Sequence, residues 1–267
     1  PVGSLLAIHG SQCPGEPLTH PAGAQRLLTR GGTLLRVMSL RERWVATWRA
    51  LGAAPPPGLF EGVLARYSEA HRHYHTARHL EECFAQLDTV RVEAERPGEV
   101  EFALWFHDAV YETRRHDNEQ RSAEWARLVA DQAGLDAGVG GRVAALIMAT
   151  RHDAQPVGPD ACVLVDVDLS ILGAEPLRFD EYERDVRQEY GWVPTPVFRR
   201  ERRKILRSFL ERPQIFQTPP MHAAREQRAR ANLARSLRKL RPRMPYRIAV
   251  ALAGAALALA ALALLVQ

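Results

Sequence analysis

The chain has 267 residues, 46% hydrophobic and 25% charged, which is room for one large domain with extensions and a real core. Its net charge of +5 is unevenly spread, with nine Arg or Lys against one acidic residue, Glu226, between Arg225 and Arg247. The near-neutral remainder argues against a nucleic-acid-binding core, and Cys13, Cys83 and Cys162 lie scattered without pairing or metal-type spacing, as in a reduced, cytosolic protein.

Residues 1–37 open with Pro1 and run through Gly, Pro, Thr and Ser without a sustained period. They lack the apolar region and cleavage site of a signal peptide. They are predicted to be a disordered extension or sequence upstream of the true start, with Met38 the natural beginning. From Met38, SLRERWVATWRALGA predicts a first helix. Ser39 and Glu42 stand at capping-box spacing, and Trp44, Val45, Trp48 and Leu51 are expected on one face. Pro55-Pro56-Pro57-Gly58 ends it, and a second helix is expected over 59–69.

Four histidines follow in HRHYHTARHL. His75 and His79 stand at i, i+4, where a continuous helix would let both bind one metal, while His71 and His73 are expected to be solvated. Leu80, Cys83, Phe84 and Leu87 form the apolar stripe of a helix over 76–90. Pro97-Gly98 breaks the chain before a helix over 99–111, in which 102–106 are apolar nearly all round, the pattern of a buried helix. It ends in the adjacent pair His107-Asp108. Two polar groups there are costly to bury unless satisfied, and a metal would satisfy both.

Asp117 and Gln120 predict a capping box for a helix over 118–133. A further helix over 140–151 ends in Arg151-His152-Asp153. Asp166 and Asp168 follow in LVDVDLSILG, and an i, i+2 pair on a regular helix does not share a face, so one of them is expected as a ligand. Tyr182, Val186 and Tyr190 line one later helix, and Ile205, Leu206, Phe209 and Leu210 another, with 199–204 a solvated basic face. A long charged helix is expected over 220–240. Imidazoles and carboxylates suit a divalent transition metal, and a packed helix bundle could gather these segments.

Residues 248–266 are an uninterrupted apolar run of nineteen. As a helix rising about 1.5 Å per residue they would just span a hydrocarbon core of about 30 Å. The basic flank through Arg247 would stay on the cytoplasmic side and meet anionic lipid. The expectation is a cytoplasmic domain with a flank and membrane anchor over 241–267.

The order His79, His107-Asp108, Asp168 resembles the HD-domain superfamily of metal-dependent phosphohydrolases. YHTARHLEEC, ALWFHDAVYE followed by DNEQRSA, DVDLSILG, and EYGWVP with ILRSFLERPQIFQT resemble the family called predicted metal-dependent HD phosphohydrolase, from about Trp44 to about Leu240. The resemblance implies an all-α, HD-domain-like helical bundle over 38–240, to which the C-terminal apolar helix is added. It implies that His79, His107, Asp108 and Asp168 hold one divalent ion. A six-coordinate preference favours Mn, Ni, Co or Fe over Zn, with Mg admissible.

Asp166 is then expected to cap the short helix that Asp168 begins. Asp108 or Glu112 would position or deprotonate a water, while Arg114, Arg115, Arg151 or His152 would neutralise phosphate. Arg187 matches a family position near substrate. The expected activity is hydrolysis of a phosphomonoester or phosphodiester of a small metabolite or nucleotide, with no nucleic-acid partner and oligomeric state left open. Two alternatives remain: a di-iron oxygenase on the same fold, with extra ligands from His75, His152 or Asp117, and a non-catalytic nucleotide-binding sensor.

Overall fold

The computed structural model describes residues 27–30, 33–36 and 38–241, in two compact units divided between Ser39 and Leu40. In the first, β1 (Leu27–Arg30) and β2 (Thr33–Arg36) pair antiparallel, with Leu27 opposite Arg36 and Arg30 opposite Thr33. No element was expected here. The sequence signal was Gly31-Gly32, a dipeptide suited to two-residue hairpin connections.

The second unit is all-helical among its described residues. Its helices are α1 (Leu40–Ala50), α2 (Leu59–Arg66), α3 (Ala77–Val90), α4 (Pro97–Phe106), α5 (Asn118–Gln132), α6 (Val139–Ala149), α7 (Pro159–Asp168), α8 (Pro176–Glu189), α9 (Thr195–Leu210) and α10 (Pro219–Lys239). Two short 3-10 turns, Arg91–Glu93 and Leu169–Gly173, follow α3 and α7. The predicted anchor at 248–266 lies outside the described residues. Among those described, no helix is long and apolar enough to cross a membrane.

The hub is α4, which packs on α1, α3, α5, α6 and α7. All eight residues from Glu99 to Phe106 are buried, as a helix apolar all round requires. Its two acids are each paired. Arg142 grips Glu99 at 2.6 and 2.8 Å, and Glu101 takes Arg91, Arg43 and, at 2.9 Å, the Thr47 hydroxyl. Pro97 was expected to break the chain. Instead it opens α4, because the first turn has no internal acceptor for the N–H that proline lacks. The helix also stops at Phe106, leaving His107 and Asp108 in the turn beyond rather than within a helix to residue 111.

On α1 the i, i+4 pair Trp44 and Trp48 faces the core, and Trp44 meets Trp105 edge-on at 5.0 Å. Val45, expected on that face, is turned about 100° from Trp44 and is half exposed. Ile205 on α9 likewise points outward while Leu206 and Phe209 are buried. A β-carbon at Gly173 would lie 2.6 Å from Arg225 Cβ, so glycine is what lets the turn after α7 meet α10. Asn232 on α10 secures that contact by donating to the Leu172 and Ala174 carbonyls.

Asp166 does not cap a helix begun by Asp168. Both lie at the end of α7, and the buried Asp166 carboxylate accepts from the Gln217 and Thr218 amides and the Thr218 hydroxyl at 2.6–3.0 Å. It therefore anchors the two residues that lead into α10, giving their amides an acceptor that the prolines opening the helix do not compete for. Asp117 occupies the N-cap position of α5 but makes no side-chain cap bond, because Arg115 takes its carboxylate.

Candidate metal centre

Three separate segments deliver the side chains. α3 presents His79 in its first turns, the turn after α4 presents His107 and Asp108, and the last residue of α7 is Asp168. The two imidazoles are almost wholly buried, and both carboxylates keep slight exposure. His79 Nε2 lies 3.1 Å from His107 Nε2, 3.5 Å from Asp108 Oδ2 and 3.3 Å from Asp168 Oδ1. His107 Nε2 lies 3.1 Å from Asp108 Oδ2 and 3.6 Å from Asp168 Oδ1.

These separations suit a shared cation. Donors about 2.1 Å from one ion stand about 3.0 Å apart when adjacent on an octahedron and about 3.4 Å apart on a tetrahedron. The tautomer of His107 agrees: its Nδ1 is 2.8 Å from the Leu104 carbonyl, which can only accept, so Nδ1 carries the hydrogen. In the neutral ring the lone pair is then on Nε2, aimed into the cluster.

Ligand atoms of His79, Cys83, His107 and Asp168 all lie within 4.8 Å of one another and could hold a metal ion. Asp108 fits the inner set better than Cys83. The Cys83 sulfur is 3.7 Å from both nitrogens of His79, so it sits midway between them rather than out beyond Nε2, where the other donors converge. Asp108 Oδ2 lies within 3.5 Å of the Nε2 atoms of both His79 and His107.

The charges agree with cation binding. Burial disfavours the charged form of every group here, yet mutual attraction outweighs it. His79, beside Cys83, Tyr74 and the two carboxylates, and His107, beside Asp108, are held well above the usual imidazole range. Asp108, facing His107 and His75, and Asp168, facing His107, His152 and His79, are held well below the usual carboxylate range. Two acids enclosing two imidazoles retain either protons or a metal, so the two compete.

No protein-family model, curated protein or solved structure matches the chain. The likeness to HD phosphohydrolases therefore rests on the residues quoted from the sequence.

Around the four donors stands a second set. His152 Nε2 is 2.9 Å from Asp168 Oδ2, leaving Oδ1 toward the cluster. His152 lies three residues beyond α6 in the left-handed region, φ 57°, and Arg212 donates to its carbonyl at 2.6 Å. His75 is not on α3 but in the turn before it, with Nε2 4.0 Å from Asp108 Oδ2.

What holds His75 is Glu189, a residue the sequence reading did not single out although it opens the quoted EYGWVP. Its buried carboxylate accepts from the successive amides of His73, Tyr74 and His75 at 2.8–3.0 Å. It also takes His75 Nδ1 at 2.8 Å and the Tyr111 hydroxyl at 2.9 Å. Although burial opposes ionisation, His75 and these donors hold Glu189 down to about 2.

Arg72, also missed and without a sequence signal, is buried. It donates to the Asp108 and His75 carbonyls at 2.7 and 3.2 Å, joining the two loops that carry the cluster. His71, expected to be solvated, is half exposed but reaches the Tyr111 carbonyl at 2.8 Å.

The remaining candidates are not gathered here. Glu112 pairs with Arg121 at 3.0 Å on the surface, and Arg115 pairs with Asp117. Arg151 faces Asp153 at 3.4 Å, and Arg114 lies over the Trp192 ring at 4.7 Å. Arg187 donates to the Tyr190 and Val193 carbonyls and so holds the α8–α9 connection.

Proposed function

We propose that this chain is an HD-type, metal-dependent phosphohydrolase acting on a phosphomonoester or phosphodiester of a small metabolite or nucleotide. The observation that carries the reading is the convergence of His79, His107, Asp108 and Asp168, from three distant segments, with the His107 lone pair aimed inward. These four would hold one divalent ion, with Mn, Ni, Co or Fe favoured over Zn by their preference for six ligands, which leaves positions open beyond the four protein donors. When bound, such an ion lowers the pKa of a coordinated water and polarises a phosphoryl oxygen.

The chain's own groups do the rest. Glu189 accepts the Nδ1 hydrogen of His75 and so leaves the Nε2 lone pair facing the cluster, where it can accept a hydrogen bond from a water. His152 orients Asp168, and Arg72 fixes the backbone beneath Asp108. The membrane is the second proposed partner, through 248–266, with the helical unit on the cytoplasmic side.

The test is hydrolysis of a panel of phosphomonoesters and phosphodiesters, read as release of phosphate or of the monoester and alcohol, by full-length protein loaded in turn with Mn, Ni, Co, Fe or Zn. Turnover that needs the metal and is lost in Asp108→Ala supports the reading. Stoichiometric metal binding without turnover of any ester would overturn it. One observation favours a dinuclear oxygenase as second reading: His75 and His152 each stand beside a cluster carboxylate, at 4.0 and 2.9 Å. Two metals per chain and an oxygen-dependent optical band would decide for it.

A further inference from the structure

We propose that the outer face of α9, with the adjoining end of α10, docks on a bilayer surface bearing anionic lipid. The proposal rests on the reading of 248–266 as a membrane anchor. It adds which part of the folded domain meets the lipid and what headgroup charge that part selects.

Chain length carries the first step. Six residues, 242–247, separate Arg241 from Ile248, where the apolar run begins. Fully extended they reach about 20 Å, so an anchored chain keeps the end of α10 close to the headgroup layer. α9 is fixed to that same end. Arg199 Nη2 donates to the Lys239 and Arg241 carbonyls at 2.7 and 3.1 Å, and Arg203 reaches the Leu240 carbonyl at 3.5 Å. Whatever surface approaches Arg241 therefore approaches α9.

The composition of the face carries the second step. α9 turns Arg202, Leu206 and Phe209 into the core. Its outer side shows Arg200 and Lys204, each about two-thirds exposed, with exposed Arg207 beside them. Arg238, Lys239 and Arg241 extend the charge along the end of α10. Two acids offset part of this charge, Glu201 paired with Arg200 and Lys204 at 2.7 and 3.0 Å and Asp180 paired with Lys239 at 3.0 Å, and the patch stays positive.

Among these cations Val197 and Ile205 are 40% and 47% exposed. Either alone would need no explanation. Together, on a basic helix face tethered beside a bilayer, they match the make-up of an interfacial helix, with apolar side chains entering the headgroup boundary between cations. Each cation near such a surface adds roughly a fivefold preference for anionic over neutral lipid.

The experiment uses full-length protein carrying a photocrosslinking residue at Ile205 or, as control, at Val92, which is 91% exposed in the turn after α3. Vesicles are pure phosphatidylcholine or phosphatidylcholine with phosphatidylglycerol. Flotation reports anchoring, and lipid adducts report docking. The expected result is flotation with both vesicles and adducts at Ile205 with the anionic vesicles. These adducts should run at least about tenfold above Val92 and be lost in Arg200→Gln/Lys204→Gln/Arg207→Gln or at high salt.

Flotation without adducts at Ile205, or with equal adducts at Val92, overturns the docking face and leaves the anchor standing. Flotation with anionic vesicles alone, abolished by the triple variant, overturns the anchor and leaves the face standing. No flotation with either vesicle overturns both. A circular dichroism melt checks that the triple variant, altered only at exposed positions, remains folded.

Discussion

Asp166 and Asp168 stand two residues apart at the end of α7, both largely withdrawn from water, and they are stabilised in opposite ways. Asp166 faces neutral donors, two amides and a hydroxyl, and desolvation raises it above the usual carboxylate range despite them. Asp168 faces three imidazoles, whose attraction outweighs its burial and holds it well below that range. Amides can anchor the segment leading into a helix but cannot gather a cation. The helical offset sends one acid to α10 and the other to the candidate metal centre, so one turn of sequence serves both architecture and chemistry.

Substitutions should separate the two roles. The largest effect is expected for Asp168→Ala. Turnover of the best ester should fall about a thousandfold or more, and one equivalent of bound metal should be lost in equilibrium dialysis. Asp166→Ala should retain the metal and most of the turnover. Its cost should appear instead in chemical denaturation, about 3 kcal/mol, because the amides of Gln217 and Thr218 are left buried without an acceptor. If Asp166→Ala loses the metal as completely as Asp168→Ala, the two acids do not have distinct roles.

His152→Ala should weaken metal binding by about 10- to 100-fold with little change in unfolding, since His152 orients Asp168 without joining the inner set. Equal metal affinity in variant and wild type would remove that role.

A pH series sharpens the contrast further. His79 and His107 are raised in the fold, so their contribution is complete below about pH 6.5 and is lost as pH rises through their folded values. Asp108 and Asp168 are lowered, so theirs is present above about pH 3.9 and is lost only as pH falls through still lower values. Chelator-treated protein should therefore melt highest between about pH 4 and 6.5 and lose stability above that. With excess Mn the melting temperature should instead rise over about pH 6 to 8, as protons cease to compete for the imidazoles. Parallel curves with and without metal would count against the cluster as a cation site.

The smallest effect is expected for Glu112→Ala, under about twofold in turnover, because its carboxylate is engaged with Arg121 at the surface. A loss near a hundredfold would restore Glu112 as the group that handles the water.

The readable part of the site was the part tied to periodicity. His79, His107, Asp108 and Asp168 each interrupt or end an apolar helical pattern, and a buried polar group in such a pattern signals a partner. The central helix was likewise legible from its unbroken apolar run. Loop geometry was not. Glu189 acts by bringing three successive amides, His75 and Tyr111 to one carboxylate, a relation between segments 78 to 116 residues apart that no local pattern encodes. Arg72 could not be told from a surface arginine, since what distinguishes it is the set of carbonyls it meets. Glu112, Arg114, Arg115 and Arg151 were chosen for closeness in sequence to the dyad or to His152. In the fold each finds a nearer partner, Glu112 an arginine and the three arginines an acid or a ring.

His152 carries a consequence of its own. A β-carbon at φ 57° costs about 1 kcal/mol that glycine would not incur, so this position works against folding in order to place an imidazole. Arg212 on its carbonyl and Phe209 against its ring keep the backbone from relaxing. The turn after α6 is therefore a place where thermostability and site geometry compete. A selection for heat resistance alone would be expected to drift toward glycine there, giving a sturdier chain whose Asp168 has lost its guide.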